Sequence, residues 1–251
     1  MGGSKSQIMV ADNKKKYVIK FRNNPQGSKL VVNEMVVNEL ATLLKLPSPE
    51  GVVANLSDEF IAAANIGTLD GMMIESGKHF GIEYKENFYK NPPKSLFNKV
   101  KNNNTFAGVL ILDIWTNNND RNNDGNYLIL DEKEEGYSFC IIDHGHCFGQ
   151  PQWTENITDN VGKWDKNYIP ELVEDITNME SFDPYLQRLH NIEDKIIEDI
   201  VNNIPTVWDI SKNEKNALIN YLSAQRNKVE EILELNKTIF PNWKEEGENN
   251  D

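Results

Sequence analysis

Three short segments carry side chains that could do chemistry together. In Tyr17-Val18-Ile19-Lys20-Phe21 a lysine interrupts an apolar strand pattern, and a buried ammonium needs a partner. Lys20 is therefore either an edge residue that snorkels to water or a phosphate-gripping lysine paired with a helix glutamate. Residues 114–129 join an apolar helix to a strand through a loop holding Asp120, Arg121, Asp124 and Asn126. A solvated turn is the plain reading of that loop, and its acidic spacing does not suit an EF-hand. In Phe139-Cys140-Ile141-Ile142-Asp143-His144-Gly145-His146 an aspartate ends an apolar strand and precedes a glycine turn. Asp143 could cap that turn, or face a cleft and hold a metal. A strand lysine, an Asp-to-Asn loop and a strand-terminal Asp, in that order, are the parts of a phosphoryl-transfer site. Such a site needs charge on the phosphates, a group that orients the nucleophile, and an amide plus a carboxylate on Mg²⁺.

These groups need elements to position them. Residues 7–11 and 17–21 read as two strands joined by the polar turn 12–16. Ser28 is a plausible N-cap for a helix from Lys29 to about Lys45, stopped by Pro47. Residues 52–55 and 71–74 read as strands. Residues 76–93, with Gly77, Gly81, Pro92 and Pro93, read as a linker between two lobes. Residues 105–115 form an apolar helix, and 127–130 with 137–142 a short hairpin. Two helices close the chain. One starts at Asp183-Pro184 and runs on through Ile196, Ile197 and Ile200; the other carries a capping box, Ser211 and Glu214, and continues to Leu235. Residues 244–251 read as a solvated acidic tail.

Composition narrows the function. The 251 residues carry 26 Lys and Arg against 39 Asp and Glu, a net charge of −13, so no nucleic-acid or anionic-membrane partner is expected. No apolar run approaches the roughly 20 residues of a membrane span, and residues 1–16 lack the apolar core of a secretory signal. With two cysteines, Cys140 and Cys147, there is no disulfide framework, and a cytoplasmic location is expected. The usual zinc, metalloprotease, Rossmann and P-loop motifs are missing. Closed zinc sites favour four ligands at set spacings. Cys140 inside an apolar strand reads as core, which leaves His144 and His146 to shape the turn after Asp143. His79, Trp153 and Trp164 read as packed side chains.

Taken together, these segments resemble the HipA-like kinase family, in particular its short stand-alone members. The resemblance rests on Gly2-Gly3-Ser4-Lys5-Ser6, on Val18-Ile19-Lys20-Phe21 with Asn23-Asn24-Pro25-Gln26-Gly27, and on Asn33-Glu34 through Leu46-Pro47. It rests further on Asp113-Ile114-Trp115-Thr116-Asn117-Asn118 with Asp120-Arg121, on Gly125-Asn126-Tyr127-Leu128 and on Ile142-Asp143-His144-Gly145-His146. It implies an α+β, two-lobed protein-kinase-like fold, with a small mixed N-lobe over 1–81 and a mostly helical C-lobe over 82–251. It implies ATP and Mg²⁺ as cofactors and a protein Ser/Thr phosphoacceptor. An ATP-binding pseudokinase and a lipid or small-molecule kinase are the alternatives. By position, Gly2, Gly3, Ser4, Lys5 and Ser6 would cover the phosphates, Lys20 would contact them, and Glu34 would pair with Lys20. Asp120 would be the catalytic aspartate, and Asn126 and Asp143 would hold Mg²⁺. The interval from Asp120 to Asn126 is one residue longer than in the HipA toxins. The helical wheel favours a different glutamate: Glu39 lies among Val32, Val36, Leu40 and Leu43, with Glu34 nearly opposite.

Overall fold

A computed structural model describes residues 5–69, 71–123, 125–149 and 152–244. Strand β1 (Gln7–Val10) pairs antiparallel with β2 (Lys16–Lys20), Gln7 opposite Ile19. Side chains alternate along β2. Tyr17 and Ile19, with Phe21 just beyond, join Leu56, Ile61 and Ile74 in a small apolar cluster. Val18 and Lys20 face the opposite side, against helix α1 (Lys29–Leu43). That helix starts from a turn closed by the Leu30 N–H on the Gly27 carbonyl. Ser28 is itself helical and makes no side-chain cap, contrary to the N-cap expectation. The helix stops short of Lys45, which turns left-handed at φ +57°, because Pro47 bars a helical Leu46.

Strand β3 (Gly51–Leu56), helix α2 (Asp58–Ala63), the two-residue strands β4 (Thr68–Leu69) and β5 (Met72–Met73), and β6 (Gly77–Glu83) follow. Sheet order is β1-β2-β6-β3, all antiparallel. The segment expected to be a linker thus contains a central strand. Its glycines look like breakers, yet Gly81 is there for space. It pairs with Ile19 and Val52, and a Cβ on it would lie 3.0 Å from Ile19 Cδ1 and 3.2 Å from Val52 Cγ2. Only residues 84–93 remain as a connection, interrupted by β7 (Phe88–Tyr89).

Helix α3 (Lys94–Phe97) leads to α4 (Phe106–Trp115), whose ten residues are all buried. Strands β8 (Tyr127–Asp131) and β9 (Tyr137–Ile141) form the expected hairpin, extended by β7 into a three-stranded sheet. The two closing helices are four. The first breaks into α5 (Asp183–His190) and α6 (Asp194–Asn202), the second into α7 (Lys212–Arg226) and α8 (Val229–Leu235). Arg226 binds the Ile192 carbonyl and lies 2.8 Å from Asp194, so the α5–α6 corner is bound to α7 instead of continuing straight. The Ser211–Glu214 capping box forms as expected. Among the described residues no helix is long and apolar enough to cross a membrane.

Candidate active site

Lys20 is 4% exposed. Its ammonium sits between two carboxylates: it pairs with Glu34 of α1 and lies 2.8 Å from Asp143 Oδ1. Burial alone would lower its pKa, but the charges of Asp143 and Glu34 outweigh burial and hold it above its usual value. Burial would likewise raise Asp143, yet Lys20 holds that carboxyl well below the usual range. For Glu34 burial wins over Lys20 and, with the negative charge of Asp143, pushes it up to about 7. One cation shared by two acids leaves one of them close to taking a proton.

The structure also decides between the two glutamates. Glu34 meets Lys20, whereas Glu39 is exposed. The apolar wheel misled because α1 is enclosed on nearly every side, with Val31, Val32, Val36, Val37, Leu40 and Ala41 all at 0% exposure. A helix with so narrow a solvent face shows no single inner stripe.

Asp143 follows β9 in a left-handed conformation, φ +56°, which a non-glycine residue adopts at a cost and Asp more readily than most. It is the open member of the trio, with 36% of its side chain exposed. At the same end of the hairpin lies Asn126. Tyr127 is opposite Ile141, and the Ile142 N–H donates to the Asn126 carbonyl. The Asn126 amide nitrogen donates to Asp120 O at 2.6 Å and to Asp120 Oδ2 at 2.9 Å. Its nitrogen is thereby committed to Asp120, and Oδ1 is the end left for a cation. Asn126 Oδ1 and the second oxygen of Asp143 are hard donors of the kind Mg²⁺ takes. Among the described residues no group of three or more His, Cys, Asp or Glu could hold a metal unaided. Cys140 and Cys147 are buried, and burial pushes the Cys140 thiol up to about 12.

A buried arginine, whose role the sequence did not reveal, joins the two loops. Arg121 is at 0% exposure. Its Nε lies 3.0 Å from Asp113 Oδ2, and Nη1 donates to the carbonyls of Asn126 (2.7 Å) and Ile142 (3.0 Å). Its Nη2 donates to Asp113 Oδ1 and to His144 Nδ1. Burial and the nearby Arg121 charge keep His144 neutral, well below its usual value. The signal available was Asp113, a carboxylate amid Leu110, Ile111, Leu112 and Ile114, which must find a buried cation.

Of the expected phosphate loop, Gly2, Gly3 and Ser4 lie outside the described residues. Lys5 and Ser6 directly precede β1, and the β1–β2 register carries Ser6 to the level of Lys20. On that same face the pairing places Ile8 opposite Val18 and Val18 opposite Ile82. Ile8 is 53% exposed. An apolar roof thus adjoins the Lys20 trio, another feature the sequence did not single out.

A family model described as HipA-like kinase matches residues 1–243. No curated protein matches the chain in sequence. Among solved structures, the crystal structure of a Helicobacter pylori proinflammatory kinase, CtkA, is similar with a TM-score of 0.59 at 16% identity, covering 94% of this chain and 93% of that one. The structure of hydra Fam20 with sugar is similar with a TM-score of 0.55 at 14% identity, covering 92% and 82%. At these identities the likeness is one of fold.

Proposed function

Because the chain belongs to the HipA-like kinase family, we propose that it transfers the γ-phosphoryl group of ATP, with Mg²⁺, to a serine or threonine hydroxyl of a protein. The observation that carries this reading is Lys20, buried between Glu34 and Asp143, at the end of the hairpin where Asn126 is tied to Asp120. On this reading the chain has two lobes with the cleft between them; the division expected after Gly81 falls inside β6, which runs to Glu83, and the proposal moves it to the end of that strand. Bound nucleotide supplies the phosphoryl group, and Mg²⁺ neutralises its charge. Lys20 holds phosphate oxygens and gives up its hold on Asp143. Glu34 keeps that lysine in place. Asn126 Oδ1 and Asp143 hold the metal. Asp120 orients the acceptor hydroxyl and takes its proton. Lys5 and Ser6, with Gly2, Gly3 and Ser4, cover the phosphates, and Ile8, Val18 and Ile82 form the ceiling over the base.

Incubation with γ-labelled ATP and Mg²⁺ tests the proposal. Label on the protein itself or on a lysate protein supports it. Label in the lipid fraction replaces the protein acceptor with a lipid. Tight Mg·ATP binding without transfer to any of these makes the chain a pseudokinase. No nucleotide binding at all overturns the reading.

A further inference from the structure

We infer that Asn33 is a positioning residue: it ties α1 to the Asp143 turn and so sets where Glu34 and Lys20 stand. The inference rests on the kinase reading for its consequence in catalysis, but not for its geometry. Asn33 immediately precedes Glu34 and is at 0% exposure. Its Nδ2 donates to the Gly145 carbonyl at 2.8 Å and the Cys147 carbonyl at 3.1 Å, two and four residues past Asp143. Its Oδ1 accepts the Trp153 indole N–H at 2.8 Å. Both donors and the acceptor are engaged, which fixes the orientation of the amide.

Trp153 is itself anchored. It is 1% exposed, its ring meets Phe148 edge-on at 6.2 Å, and the Lys29 ammonium lies 4.8 Å from its ring centre. Lys29 stands one turn before Asn33 on the same side of α1. It binds the Trp153 carbonyl and Glu214 of α7. Gly145 and Cys147 on one side, and Trp153 on the other, are therefore fastened to α1 at two successive turns. The approach is close: a Cβ on Gly145 would lie 2.9 Å from Leu30 Cγ and 3.3 Å from Glu34 Oε1.

Apolar packing cannot do this job alone. The contacts around α1 are mostly Val and Leu, and such contacts are non-directional; besides the Lys29 and Glu34 contacts, the helix's directed side-chain bonds come from Asn33 and, at the far end, from Asn38, which donates to Ser48 Oγ and the Pro49 carbonyl. Three directed hydrogen bonds from one residue choose a single setting, and they choose it one residue from Glu34. A role limited to satisfying loop carbonyls would cost stability when removed. A positioning role would also release Lys20.

The test uses the full chain and two variants. Asn33→Asp keeps the shape and the acceptor for Trp153 but replaces both donors with a carboxylate facing two carbonyls. Trp153→Phe keeps an aromatic side chain but removes the pyrrole half of the indole together with its N–H. Acylation of Lys20 by an amine-directed ester is followed by mass spectrometry against the exposed Lys195. In wild type Lys20 is 5% exposed and Lys195 66%, so Lys20 reacts slowly. Each variant is expected to raise the relative rate about 10-fold or more and, where wild type transfers phosphate, to lower kcat about 10- to 100-fold, with KM for ATP changed by less than about threefold. Gly108→Ala in α4, chosen as a destabilised control, should leave Lys20 protected at a matched loss of Tm. Wild-type protection of Lys20 in both variants, or labelling no faster than in that control, overturns the inference. If Asn33→Asp does not fold, Trp153→Phe decides. A wild type that binds no Mg·ATP would sink the kinase reading, while Lys20 acylation would still decide the tether.

Discussion

Lys20 is the cation that pairs directly with two carboxylates, buried Glu34 and half-buried Asp143. Lys20→Met should therefore abolish Mg·ATP-induced thermal stabilisation and lower the stability of the free protein by about 3 kcal/mol, because a stranded buried charge costs more than the pair returned. Adding Glu34→Gln should restore part of that loss without restoring activity; urea midpoints of the two variants check it. Asp143→Ala should lose Mg²⁺-dependent nucleotide binding, whereas Asp120→Ala should keep binding and lose transfer by about two to four orders of magnitude. Binding titrations beside labelled-ATP assays separate the two. Away from the site, His79 is buried at 0% exposure. Its Nδ1 accepts the Arg22 N–H at 3.1 Å, so the proton sits on Nε2, which donates to the Glu75 carbonyl at 2.9 Å. Burial, assisted by the Arg22 charge and opposed by Glu75, holds its pKa below the usual value. The unfolded chain then takes the proton first, and stability present above about pH 6.5 is lost as pH falls, by at most about 1.4 kcal/mol at pH 5.5 from this residue. His79→Asn should flatten the fall in urea midpoint between pH 7.5 and 5.5; an unchanged slope would count against a neutral, buried His79.

Helix α4 shows how an element can reverse a residue's ordinary preference. Gly108 lies within it, where glycine normally costs about 1 kcal/mol relative to alanine. Here a Cβ would fall 2.4 Å from Tyr185 Cδ1 and 2.6 Å from Leu46 Cδ2. Gly108→Ala should destabilise by about 1–3 kcal/mol as the Tyr185 ring is displaced, and a rise in Tm would contradict the close packing of α4 on α5. The same helix carries Asp113, and through Arg121 it aligns the Asn126 and Asp143 ends of the hairpin. Element and site are thus joined by a buried polar contact, while the apolar residues of α4 supply the core.

Across the whole molecule the charge is uneven. Residues 102–251 hold 29 of the 39 acidic residues but only 12 of the 26 basic ones. Self-repulsion of that kind opposes compaction and is screened by salt. Raising NaCl from about 0.02 to 0.3 M, where the Debye length drops several-fold, should increase Tm, and a fall would mean that the exposed ion pairs outweigh the repulsion. The Asp113–Arg121 pair, fully buried, lies beyond the reach of that screening.

Local pattern was enough for the pieces whose partners are near in sequence. The β1–β2 strands, the buried run of α4, the β8–β9 hairpin and the Ser211–Glu214 cap all follow from alternation, apolar length or a capping spacing. The sequence also marked Lys20, Asp120, Asn126 and Asp143 by residue type and order, and the structure joins Asn126 to Asp120 within one short loop. Tertiary structure decided the rest. Strand β6 looked like a linker since Gly81 within it is explained only by Ile19 and Val52 across the sheet. Glu34 was preferred over Glu39 by the position of Lys20, not by any stripe on α1. Lys20 meets Asp143 across 123 residues, and Asn33 meets Gly145 across 112. Such partners are chosen by the packing of the completed chain, where a buried polar group must be satisfied by whatever the fold brings within reach, and no window of neighbouring residues contains them.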